Sequence, residues 1–81
     1  MKPKLLQASQ KKRLEDVGAV IRARRVDRGI SQEALALRAG IDRSYMGRIE
    51  RGENNITVLS LLSVAEVLET TPSALLGEAG C

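Results

Sequence analysis

Arg43, Arg48 and Arg51 crowd the stretch DRSYMGRIERG at positions 42–52, together with Tyr45, the only aromatic residue of the chain. A guanidinium stays charged at any physiological pH. Its planar fork of N–H donors matches the paired acceptors of a phosphate or of a guanine edge. At 100° per residue, Tyr45, Met46, Ile49 and Glu50 fall on one side of a helix, and Arg43, Ser44, Gly47, Arg48 and Arg51 on the other. Such a helix has an inner face and a cationic outer face, and its chemistry is anion recognition. Bond-making chemistry has no comparable basis. Histidine, the commonest general base and metal ligand, is absent. The acids are scattered, no glycine loop is built to cradle phosphate, and no nucleophile stands beside a base. The sequence therefore predicts no enzyme, no metal and no cofactor.

Charge is unevenly spread along the 81 residues. Residues 1–28 hold nine Lys/Arg against three Asp/Glu, a balance of +6. Residues 29–55 hold four of each, and residues 56–81 hold three Glu and no base, a balance of −3. A polyanion is expected at the basic half and not at the acidic one. No apolar run is long enough for a membrane span, and the lone Cys81 fits a reducing cytoplasm and excludes an intrachain disulfide. One small domain of this length buries a modest core, which favours an oligomer partner.

The elements that must carry the arginines are all helical. A basic arm at residues 1–11 precedes a domain at 12–77 and a short tail at 78–81. The first helix is expected at 14–28 with Leu14, Val17 and Ile21 as its stripe, which continues into Arg24, Arg25 and Arg28. At least one of those arginines must be paired inside or reach past the core edge. Ser31 caps a second helix, Ile30 and Leu35 staple it, and Gly40 ends it in a tight turn. Asp42 caps the third helix and Gly52 stops it. Thr57 caps the fourth, VLSLLSVAEVLE, with Val58, Leu61, Leu62, Ala65 and Leu68 read as its core stripe. Thr71 and Pro72 open a short fifth helix.

Two short helices joined by a glycine turn, the second with a polar outer face, form a helix-turn-helix. The segment SQEALALRAGIDRSYMGRIERGENNITVLSLLSVAEVL, followed by TPSALL, resembles the lambda-repressor and Cro-like helix-turn-helix family, and DRSYMGRIERGENNIT is most similar to restriction–modification controller proteins. The resemblance implies a compact five-helix, all-α domain and a transcriptional regulator of double-stranded DNA, with RNA polymerase as a further partner if it activates. It implies base contacts from Arg43, Ser44, Gly47 and Arg48, with Ser44 equally suited to a phosphate. It implies phosphate contacts from Gln32, Arg51, Asn54 and Asn55. Tyr45 either reaches a phosphate through its hydroxyl or simply packs. Arg25 and Glu50, on inward stripes of their helices, match an ion pair between the first and third helices. Glu69 stands where many members carry the glycine that ends the fourth helix. The competing function is an antitoxin-type autoregulator that mainly holds a partner protein, but little chain is left over for that surface.

The fourth helix is more apolar than one packing face requires. Val64, Val67, Leu75 and Leu76 are expected to form a homodimer interface on a pseudo-palindromic operator. The alternative is that Val64 and Val67 pack under the fifth helix, with dimerisation only on DNA.

Overall fold

The computed structural model describes residues 8–81 as five α-helices: α1 (Ala8–Asp27), α2 (Gln32–Ala39), α3 (Arg43–Glu50), α4 (Val58–Val67) and α5 (Pro72–Glu78). There is no strand among the described residues. Each of α2 to α5 begins at a side-chain cap. Ser31, Asp42, Thr57 and Thr71 accept the backbone N–H three residues on, from Ala34, Tyr45, Ser60 and Ala74. Gly40 adopts φ 69°, ψ 32°, and the Ile41 N–H then closes on the Ala36 carbonyl at 2.8 Å, which fixes the turn between α2 and α3.

α1 starts six residues earlier than its apolar stripe requires, so residues 8–11 of the expected arm are helical. Residues 1–7 lie outside the described part of the chain. The added turns contain Ala, Gln, Lys and Arg, all good helix formers, and Lys12 pairs with Asp16 one turn on at 2.7 Å. All three arginines at the other end of α1 are paired. Arg24 meets Glu78, Arg25 meets Glu50 and Arg28 meets Glu69.

The core joins Val17 and Ile21 of α1, Leu35 and Ala36 of α2, Met46 and Ile49 of α3, Leu61, Val64, Ala65 and Leu68 around α4, and Leu75 of α5. α1 packs on α3 and α5, α2 packs on α3 and α4, and α5 turns away from α4 by 94°. No single helix among the described residues is long and apolar enough to cross a bilayer.

The phase of α4 corrects the sequence reading. Its inward stripe is Leu61, Val64, Ala65 and Leu68, while Val58 and Leu62, both read as core, are 74% and 48% exposed. Val64 and Leu75 have no exposed surface in a single chain, and Val67 and Leu76 are half-buried against the same core. Val64 and Leu75 are therefore not available to the interface expected from these four residues, and Val67 and Leu76 offer it only part of their surface. α5, crossing α4 steeply, needs Val64 beneath it, and that rotates Val58, Leu59 and Leu62 outward.

The close approach of α1 to α3 depends on Gly18. A methyl group there would stand 2.3 Å from the Ile49 carbonyl oxygen and 2.6 Å from that of Glu50. No ordinary residue fits at that distance.

Candidate nucleic-acid interface

The Ser31 cap makes Gln32 the first helical residue of α2, and the Gln32 side chain reaches the end of α3. Gln32 Nε2 donates to Glu50 Oε1 at 3.0 Å. The same carboxylate takes two bonds from Arg25, Nε to Oε2 at 2.7 Å and Nη2 to Oε1 at 3.0 Å. Arg25 Nη1 also donates to the Ile30 carbonyl at 2.9 Å, so one guanidinium ties the α1–α2 link to the end of α3. The Glu50 side chain is 2% exposed and that of Arg25 12%. Hydrogen bonding to Glu50, followed by the charge of that group, holds the Arg25 pKa above its ordinary value against the opposing effect of burial.

Asp42 opens α3, and Met46 and Ile49 pull its inner face into the core. That leaves Arg43, Ser44 and Arg48 exposed on the opposite side. Arg43 makes only a loose contact of 3.7 Å with Glu33, both side chains being largely in solvent. With its amide turned so that both ends are satisfied, Asn54 accepts from Arg48 Nε at 3.0 Å and donates to the Glu53 carbonyl at 3.0 Å. Arg51 grips Glu53 with both arms of its fork, at 3.0 and 3.2 Å.

One expected site residue, Gly47, sits differently from the sequence reading, and Tyr45 takes the packed arrangement of its two alternatives. Gly47, placed on the open outer face, is buried. A methyl group there would lie 3.1 Å from Arg51 Nη1 and 3.3 Å from Gln32 Oε1, so the side chains of those two residues cross over it. Tyr45 is half-buried, and its hydroxyl is engaged by the loop. The hydroxyl donates to the Asn55 carbonyl at 2.9 Å and accepts the Thr57 N–H at 3.2 Å. The ring thus braces the loop that carries Arg51, Asn54 and Asn55. Glu33 and Glu53, the acidic partners of this surface, escaped the sequence reading. The available signal for Glu53 was its place two residues after an arginine in a loop.

A family model described as helix-turn-helix matches residues 21–75, most of the chain. The chain belongs to the helix-turn-helix family. The control protein C.SmaI of Serratia marcescens is 38% identical over 60 residues, spanning 74% of this chain and 71% of that protein. The solved restriction-modification controller protein C.AhdI of Aeromonas hydrophila superposes with a TM-score of 0.75 at 40% identity, over 76% of this chain and 94% of the other. SinR, a master regulator of biofilm formation solved in complex with DNA, gives a TM-score of 0.71 at 34% identity, over 74% of this chain and 97% of the other. As a member of this family of lambda-repressor-like fold, the chain is a DNA-binding transcriptional regulator rather than an enzyme.

Proposed function

We propose that this helix-turn-helix protein is a homodimeric, sequence-specific regulator that lays α3 in the major groove of a pseudo-palindromic operator. The observation that carries this reading is the outer face of α3. Arg43, Ser44 and Arg48 are exposed there, while Met46 and Ile49 are buried and anchor the helix. A guanidinium fork on guanine contributes about 1–3 kcal/mol of discrimination against a wrong base. Gln32 and Arg51 cross over Gly47 towards the end of α3, Asn54 and Asn55 follow in the loop, and these residues take the phosphates, which position the helix without reading sequence. Tyr45 holds the loop in shape. Gly47 acts by leaving room for Gln32 and Arg51 instead of by touching a base.

Val58, Leu59 and Leu62 supply the two-fold contact, since they form the contiguous apolar surface at the start of α4. That helix follows directly on the phosphate loop, so a contact there sets two copies of α3 side by side, about 34 Å apart on one face of DNA.

Selection of bound duplexes from a random pool tests the reading. An inverted repeat with half-sites about one helical turn apart is the expected product. Enrichment of an asymmetric sequence, or of none, overturns it. Within the selected site, Arg43→Ala should lose about 1–3 kcal/mol and relax one position per half-site, whereas Gln32→Ala should weaken all duplexes alike.

A further inference from the structure

The corner between α1 and the loop after α3 holds an anion already, and it is the protein's own. Arg51 engages Glu53 as a two-armed fork, the geometry a guanidinium also uses on phosphate. The side chains are 57% and 51% exposed, so the pair does little for the fold. α1 closes the corner from the other side. The point where a side chain would leave Gly52 is 2.6 Å from the Glu15 Cα, and Lys11 lies one helical turn before Glu15. The Glu53 carboxyl is held below the usual carboxylate range, first by the hydrogen bond from Arg51, and further by the charges of Arg51, Arg48 and Lys11. Arg51 thus holds the exposed carboxylate directly, and α1 brings Lys11, one turn before the residue packed on Gly52, to the same corner.

We propose that this corner is a seat for one DNA backbone phosphate, built from Arg51 and Lys11 and filled in the free protein by the Glu53 carboxylate. The proposal rests on the reading of α3 as the helix that enters the groove. It adds Lys11 of α1 to the binding surface and makes Glu53 a resident competitor. A phosphate entering the seat takes the Arg51 fork from Glu53, whose freed carboxylate swings into solvent and takes up a cation there. Binding is then weaker, and releases about one counterion fewer, than the cations alone would give.

Fluorescence anisotropy with a labelled duplex across a salt series tests this. Glu53→Gln should tighten binding about fivefold on selected and random duplexes alike, and should steepen the slope of log K against log salt by about one. Lys11→Ala should weaken binding by a similar factor and flatten the slope. In an Arg51→Ala background the gain from Glu53→Gln should disappear. Asp27→Asn makes the same charge change at the far end of α1 and should stay within about twofold of the parent. A Glu53→Gln protein no tighter than Asp27→Asn, or a gain that survives the loss of Arg51, overturns the seat while leaving the groove reading intact. A parent protein that binds no duplex at any salt overturns both.

Discussion

At the scale of single residues, two glycines inside helices make opposite demands. At Gly18 the neighbours of an added methyl group are the Ile49 and Glu50 carbonyl oxygens at 2.3 and 2.6 Å, and backbone cannot step aside. Gly18→Ala should therefore push α1 off α3 and destabilise the fold by about 3 kcal/mol, read from the midpoint of urea unfolding. At Gly47 the neighbours are the ends of the Arg51 and Gln32 side chains, at 3.1 and 3.3 Å, which can move. Gly47→Ala should raise the melting temperature, since alanine gains roughly 1 kcal/mol of helix propensity over glycine, or about 4–8 °C in a domain of this size. The same change displaces two groups placed on phosphates and should weaken DNA binding. A destabilised Gly47→Ala protein with full affinity would contradict this account. Glu50 lies beneath both effects, because it fastens Arg25 and also steadies Gln32. Glu50→Ala leaves a nearly buried guanidinium without its carboxylate and should cost roughly 3 kcal/mol. Replacing Arg25 and Glu50 together by Met and Leu should restore much of that stability but not the affinity. Calorimetry and anisotropy on the two proteins separate these outcomes.

At the scale of the helix, what the sequence made legible was set by how many solutions each pattern allowed. Capping is local, so Ser31, Asp42, Thr57 and Thr71 mark the starts of α2 to α5 with little ambiguity. The turn at Gly40 and the inward phase of α3 were legible for the same reason: α3 has one apolar stripe, and its other side is charged. α4 has apolar residues at 58, 59, 61, 62, 64, 65, 67 and 68, so more than one stripe fits, and the steep crossing of α5 selects among them. The start of α1 was hidden because its first turns have no apolar stripe at all. The burial of Gly47 was hidden because it depends on where two long side chains fold, which no helical wheel records. The end of α4 remains unusual. Glu69 sits at φ 55°, in the left-handed region, where a side chain costs about 1–2 kcal/mol. Its exposed pair with Arg28 returns less than that. Glu69→Gly should therefore stabilise the protein by about 0.5–1 kcal/mol, allowing for the greater freedom of glycine in the unfolded chain. A lower urea midpoint for Glu69→Gly would show the Arg28 pair to be the stronger effect.

At the scale of the whole molecule, the charge asymmetry and the apolar surface point the same way. The acidic last third is tied to the far end of α1 through Arg24–Glu78 and Arg28–Glu69. This uses acidic charge at that end, while Arg43, Ser44 and Arg48 remain open on α3. Among the described residues five large apolar side chains are exposed, but Val26 and Leu37 lie singly on other helices. Isolated exposed residues of this kind are ordinary on a monomer. Val58, Leu59 and Leu62 are different, because they stand at i, i+1 and i+4 on one helix, and Leu59 is 76% exposed. A second copy covering them removes that surface from water and doubles the phosphate contacts on one duplex. Leu75→Glu cannot test this, since Leu75 has no exposed surface and a buried carboxylate would unfold the chain. Leu59→Glu and Leu62→Glu can, because surface changes of this kind usually shift stability by no more than about 0.5 kcal/mol. Sedimentation at micromolar concentration should give a dimer for the parent protein and a monomer for either variant, with melting nearly unchanged. The variants should also lose affinity for an inverted repeat far more than for a single half-site. A parent protein that sediments as a monomer, or variants that sediment as dimers, would remove the start of α4 from the two-fold contact in free solution.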